Sequence, residues 1–170
     1  VGGGRNDDTA TTDAGIIQVW KYDNTNGWET LGNPIYGHMT YNFTGQILKM
    51  NDDGYTIVHY GYGYQNQHII VSRYSEELQD WYVYAYGFGE NVWNEYAGDS
   101  RSVEISGDGE MVIVSESVYE SYGMTRQYKV LNGKLEPVGP AFYGDSTYYD
   151  LKAVTISSDG KRVAVGSNTS

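Results

Sequence analysis

The sequence contains no cysteine, which excludes disulfides, thiolate metal ligands and a cysteine nucleophile. Basic residues are also scarce, since 11 Lys and Arg stand against 22 Asp and Glu and the net charge is −11. A surface of this sign repels phosphate backbones, so we expect no nucleic-acid partner. No run of about 18 apolar residues occurs, and we therefore expect no membrane insertion.

Tyrosine is the residue type that stands out among those present, with 18 Tyr in 170 residues beside 4 Trp and only 3 Phe. Aromatic and β-branched residues are enriched in strands, and an apolar period of 3.6 is absent from the chain. The composition therefore predicts an all-β protein, and the chain is long enough to bury a core of its own.

Three stretches of the chain resemble one another and are each centred on an Asp-Gly pair, at residues 48–62, 103–117 and 154–168. Apolar residues alternate on both sides of each pair, for example Leu48, Met50 and Ile57 around Gly54. This pattern predicts a β-hairpin with a two-residue Asp-Gly turn. The glycines of the three pairs are 55 and 51 residues apart.

A second phrase lies between these hairpins, in residues 15–37, 124–144 and, as a looser copy, 68–89. Each copy reads as a strand, a short polar turn and another strand, so the repeating unit has four strands. Such units predict a β-propeller built of four-stranded antiparallel blades, with about three blades in this chain. We assign a partial blade to residues 1–37, blades to 38–89 and 90–144, and a partial blade to 145–170.

The phrase G-x-x-x-V-x-x-Y-D … G-W-x-x-x-G-x-x-I-x-G at residues 15–37, with I-S-x-D-G-x-x-V-A-V-G at 156–166, resembles a known repeat. It is similar to repeats of secreted or cell-surface β-propeller proteins of stramenopile algae and bacteria, which are loosely like FG-GAP and WD40 propellers. The second copy departs from it, with Ala85 in place of the glycine. The resemblance implies an extracellular or cell-surface location and, for some members, a role in surface appendages.

The connections opposite the Asp-Gly turns are rich in Tyr, Trp and acids, and displayed loops often carry function. Aromatic faces beside carboxylates suit sugar rings, but we favour the alternative that they pack between blades or contact another protein. The candidate binding face comprises Tyr62, Tyr64, Trp93, Tyr96, Tyr119, Tyr122, Tyr148 and Tyr149.

Two N-glycosylation sequons, at Asn42 and Asn168, fall on the same predicted face. Glycans at both positions would coat this face and favour a structural role over an open lectin site.

The first long loop offers Asp7, Asp8 and Asp13, which are weak Ca²⁺ candidates because their spacing does not match a calcium loop. The alternative is a solvated acidic loop, and we expect no other cofactor. The three histidines, His38, His59 and His68, belong to no Ser-His-Asp order with a nucleophile elbow. We therefore expect no enzymatic activity.

These features together predict an extracellular structural or assembly module whose partners are the remaining blades of a longer chain or further copies of itself. The alternative is a carbohydrate-binding propeller that uses the Tyr- and Trp-rich face.

Overall fold

The computed structural model describes residues 2–4, 12–37, 44–61, 68–88, 102–116, 123–144 and 151–167, and these residues form strands and turns without a helix. None of them belongs to a helix that meets the length and apolarity needed to cross a membrane. The strands are β1 (Gly2–Gly4), β2 (Ile16–Gln18), β3 (Trp20–Asp23), β4 (Gly27–Thr30), β5 (Ile35–Tyr36), β6 (Leu48–Met50), β7 (Thr56–Gly61), β8 (His68–Ser75), β9 (Asp80–Phe88), β10 (Ser102–Ile105), β11 (Met111–Glu116), β12 (Met124–Leu131), β13 (Lys134–Tyr143), β14 (Leu151–Ile156) and β15 (Val163–Ser167).

Most of the paired strands are neighbours along the chain and run antiparallel, and the strands group into four units. Unit 1 comprises β1–β5, with β1, β2 and β5 in one sheet and β3 and β4 as a ribbon that extends it. Unit 2 is the run β6-β7-β8-β9, and unit 3 is the run β10-β11-β12-β13. Unit 4 is the hairpin of β14 and β15.

Units 2 and 3 belong to one eight-stranded sheet because β13 and β9 form a parallel pair at Lys134 and Tyr86. The two end strands of this sheet are β6 and β10. Because β10 packs beside β6 and β7, the sheet is nearly closed on itself. The main core fills the space between the two runs. It contains Val58, Tyr60, Ile69, Val71 and Ala85 of unit 2, and Val103, Ile105, Val112, Val114, Tyr128 and Val130 of unit 3.

A second core lies between units 1 and 2, where Ile17 and Val19 pack against Ile57. Successive residues of a strand point to opposite faces, so Ile57 contributes to this core while Val58 contributes to the main core. This double packing explains why all six residues of β7 are buried.

The three Asp-Gly turns share one geometry, which differs from the two-residue turn that the sequence predicts. In the first of them, Asn51 donates its backbone N–H to Thr56 at 3.0 Å, so four residues lie between the paired ends. In each turn the first residue uses its side chain to accept a hydrogen bond from the backbone N–H five positions later. Asn51 accepts from Thr56, Ser106 from Met111 and Ser157 from Arg162. The third of these four residues is a glycine with a positive φ, of 80°, 74° and 68° at Gly54, Gly109 and Gly160. The prediction of turn length was wrong because these side-chain acceptors stabilise a longer loop.

The same turns from units 2, 3 and 4 meet at one point. Asp52 donates its backbone N–H to the Gly107 carbonyl at 3.2 Å, and Gly107 donates its own to the Ser158 carbonyl at 2.9 Å. The Ser158 hydroxyl then donates to Oδ2 of Asp52 at 2.6 Å. Three hydrogen bonds thus tie the three turns together, although the residues joined in the first and the last turn are 106 positions apart in the sequence.

Candidate functional site

The predicted binding face lies almost wholly outside the described residues. This holds for all eight aromatic candidates, for both sequons and for two of the three acidic candidates, so these predictions stay predictions; the residues are Tyr62, Tyr64, Trp93, Tyr96, Tyr119, Tyr122, Tyr148, Tyr149, Asn42, Asn168, Asp7 and Asp8. Asp13 is described, at a φ of 51° and half-buried. Within the described part of the chain, no group of three acidic or histidine side chains is placed to hold a metal ion.

A groove of about 260 Å³ opens between units 1 and 2. Its lining combines aromatic, amide and carboxylate groups with aliphatic side chains, from Asn33, Pro34, Ile35, Tyr36, Ser72, Asp80, Trp81, Tyr82 and Val83.

Two polar contacts across the groove join the units that form it. Asn33 donates its backbone N–H to Oδ1 of Asp80 at 2.8 Å and its side-chain Nδ2 to Oδ2 at 2.9 Å. Trp81 donates its indole N–H to the carbonyl of Leu31 at 2.7 Å. The indole reaches this carbonyl because Gly32, at a φ of 73°, has no side chain; a Cβ there would lie 2.8 Å from Cδ1 of Trp81.

The groove carries a fixed negative charge. The Asn33 side chain and then its backbone N–H lower the pKa of Asp80, with a smaller contribution from the Trp81 N–H. Asp80 therefore stays ionised and accepts hydrogen bonds at neutral pH. An ionised carboxylate beside the Trp81 ring is an arrangement that can hold a small hydroxylated ring.

A cross-strand tyrosine–tryptophan pair occurs twice among the residues that the structure describes. Tyr22 and Trp28 pair across β3 and β4 with ring centroids 5.4 Å apart at 68°, and Tyr74 and Trp81 pair across β8 and β9 at 5.5 Å and 62°. Trp81 is partly buried against unit 1, whereas Trp28 is 71% exposed.

The outer strand of unit 3 also exposes apolar side chains. β13 is ten residues long and eight of these residues are exposed. They include Val138 at 39%, Phe142 at 44% and Tyr143 at 62%.

Sequence reasoning missed the groove between units 1 and 2. Trp28, Trp81 and Leu135 stand at equivalent positions of the phrases at residues 15–37, 68–89 and 124–144, but the sequence pattern places them in strands and gives none of them a role. Asn33 and Asp80 are 47 residues apart, and no pattern in the sequence connects them.

Comparisons with known proteins gave no matching family model and no matching curated protein. Among solved structures, the chain is similar to a candidate 6-phosphogluconolactonase from Bacteroides uniformis, at a TM-score of 0.55 and 15% identity over 92% of this chain. It also matches TolB from Acinetobacter baumannii (TM-score 0.48, 16% identity, 89% of this chain). A candidate 6-phosphogluconolactonase from Bacteroides fragilis matches 73% of the chain (TM-score 0.47, 19% identity).

The chain is all-β, and its nearly closed eight-stranded sheet is similar to that of structures with a propeller- or barrel-like fold. It spans 41%, 31% and 32% of the lengths of these three structures, in the order given. At such identities the likeness shows the fold alone. This likeness gives no support to the resemblance to stramenopile surface repeats. Two of the structures bear the name of an enzyme, so the comparisons do not support the expectation that the chain is not an enzyme.

Proposed function

We propose that this chain is a structural or assembly module of an extracellular propeller protein or filament. In this proposal units 2 and 3 are complete four-stranded blades, and units 1 and 4 are partial ones. The observation that carries it is β13, a long outer strand on which Val138, Phe142 and Tyr143 are each exposed. Apolar side chains gathered on an outer strand favour contact with another sheet.

The internal packing of the molecule supports the same proposal. Units 1 and 2 bury apolar residues against each other, and so do units 2 and 3, as the two cores show. Strands β10, β11 and β12 of unit 3 pack beside β14 of unit 4, so contact between one unit and the next recurs along the chain.

Sedimentation of the purified chain over a series from micromolar to millimolar concentration tests this function. We expect species heavier than 19.0 kDa that grow with concentration and that the double variant Val138→Ser/Phe142→Ser weakens. Leu78→Ser is the matched control, because Leu78 is 66% exposed in the turn between β8 and β9. A chain that stays at 19.0 kDa throughout the series contradicts the assembly role.

A second candidate function is carbohydrate binding, and the groove with Trp81 and the ionised Asp80 favours it. A glycan array with the purified chain tests this candidate. Saturable binding that is lost in Asp80→Asn supports a site in the groove, whereas loss on changing Trp93 or Tyr96 supports the Tyr- and Trp-rich loop face. Absence of binding to any glycan contradicts both.

The expectation that the chain is not an enzyme needs its own assay, because a structurally similar protein bears the name of a lactonase. We expect no hydrolysis of 6-phosphogluconolactone above the uncatalysed rate. Hydrolysis that falls in Asp80→Asn would overturn the expectation and assign the groove to catalysis.

A further inference from the structure

The groove between units 1 and 2 carries an acid that the contact between units does not require. Asp80 is the first residue of β9, and Lys134 is the first residue of β13 in unit 3. Asp80 binds Asn33 of unit 1, whereas Lys134 pairs with Tyr86 of unit 2. The junction of units 2 and 3 therefore forms with a basic residue at this position of the repeat. Packing of one unit on the next does not by itself explain the acid at position 80.

The carboxylate of Asp80 is held in place but is not saturated by the described residues. Its Oδ1 accepts the backbone N–H groups of Asn33 and Trp81, both at 2.8 Å. Its Oδ2 accepts Nδ2 of Asn33 at 2.9 Å. A carboxylate has about four lone-pair sites, so these bonds leave one site on Oδ2 for a further donor.

The charge of Asp80 has no counterpart among the described residues. None of their ion pairs includes Asp80. None of the described residues that line the groove is basic. A ligand that brings a positive charge would therefore supply what the groove itself does not.

The rest of the lining suits the body of a small ring. It includes the aromatic residues Tyr36, Trp81 and Tyr82, and Tyr82 is 41% exposed. Aromatic side chains present an apolar face for packing, and the tyrosine hydroxyls add polar groups. The volume of about 260 Å³ lies below the range of about 300–1,000 Å³ that is typical of sites for drug-sized ligands, so the groove suits a single ring.

We propose that this groove binds an amino sugar, with the protonated amine on Oδ2 of Asp80 and the sugar ring against the aromatic lining. The proposal rests on the carbohydrate-binding candidate function above and names the class of sugar. A protonated amine donates a hydrogen bond to the carboxylate and also neutralises its charge, which a neutral hydroxyl does not do. A sugar acid does not fit, because its own carboxylate would be repelled by Asp80.

Titration of the isotope-labelled chain with three sugars, followed by NMR, tests the class of sugar. The three differ at one carbon atom, where glucosamine has an amine, glucose a hydroxyl and N-acetylglucosamine a neutral amide. At about pH 6, where aliphatic amines are protonated, we expect glucosamine to bind at least about tenfold more tightly than the other two. We expect the indole N–H resonance of Trp81 to shift, while that of Trp28, which is not part of the groove lining, stays in place.

Two variants test the role of Asp80. Asp80→Asn removes the charge and keeps the size of the side chain, and we expect it to lose the preference for glucosamine over glucose. Glu77→Gln is the matched control, because it removes a carboxylate from the exposed turn between β8 and β9. Circular dichroism verifies that both variants are folded. The comparison of the three sugars uses the wild-type chain, so it does not depend on the folding of Asp80→Asn.

The outcomes separate the class of sugar from carbohydrate binding itself. Equal affinity for the three sugars, with a shift of Trp81, overturns the amino-sugar proposal and leaves carbohydrate binding in the groove standing. A preference for glucosamine that Asp80→Asn retains, or that shifts Trp28 and not Trp81, overturns the groove as its site. Failure of all three sugars to bind overturns the amino-sugar proposal, and the glycan array then decides separately on carbohydrate binding.

Discussion

Gly107 stands at the point where three turns of the molecule meet. A Cβ on this residue would overlap Oδ2 of Asp52 and Oγ of Ser158, which are themselves hydrogen-bonded. We expect Gly107→Ala to lower the free energy of unfolding by about 1–3 kcal/mol, measured by urea denaturation. Gly166→Ala is the matched control, because its Cβ would meet Ala153 at an ordinary 3.5 Å. Equal stability of the two variants would contradict the convergence of the turns.

Acid sensitivity is the second property that single residues determine. Hydrogen bonds from the Ser106 hydroxyl and the Glu110 N–H lower the pKa of Asp108, although partial burial and, to a smaller extent, the charge of Asp159 oppose them. The Ser157 hydroxyl and the Lys161 N–H lower the pKa of Asp159 in the same way. Each folded pKa lies below the unfolded value of about 3.9, so the stabilisation is present above that pH and is lost as pH falls through the folded pKa.

We therefore expect the urea midpoint to fall as the pH drops below about 4, and to fall less in Asp108→Asn/Asp159→Asn. Glu77→Gln, in the turn between β8 and β9, controls for the loss of a carboxylate elsewhere. An acid loss of the same size in the double variant and the wild type would refute this assignment.

At the scale of the strand, the burial of a side chain decides how much it contributes to the free energy of unfolding. Ile69 of β8 is fully buried in the main core, whereas Leu78 in the following turn is 66% exposed. We expect Ile69→Ala to cost about 2–5 kcal/mol of unfolding free energy and Leu78→Ala about 0.5 kcal/mol or less. Chemical denaturation measures both, and similar costs would show that the main core is not where the structure places it.

The strands themselves were the most predictable elements. Asn132 and Gly133 connect β12 to β13 with φ values of 50° and 78°, as expected for a two-residue Asn-Gly hairpin turn. The Asp-Gly turns were located correctly but given the wrong length. Their loop depends on acceptors such as Ser106, and a two-residue turn signal does not reveal these.

At the scale of the whole molecule, Trp81 is one of the residues that join units 1 and 2. We expect Trp81→Ala to speed amide hydrogen exchange in β2 and β5 while leaving β10–β13 unchanged, because its lost contacts are with unit 1 and with Tyr74 of unit 2. Trp28→Ala is the matched control, since the equivalent indole is exposed and joins no described unit. Faster exchange throughout the chain would mean that the units unfold together.

The sequence by itself determined that this protein is all-β and that its strands recur, because alternation of apolar residues and turn chemistry are local properties that each repeat shows again. Only the tertiary structure decided which units touch, through contacts such as Asp52 with Ser158 and Asn33 with Asp80, which join residues 106 and 47 positions apart. It also decided that one copy of the Tyr–Trp pair is inserted against a neighbour and the other is exposed. No local pattern distinguishes Trp28 from Trp81, because the difference between them is the tertiary contact of the Trp81 indole with Leu31.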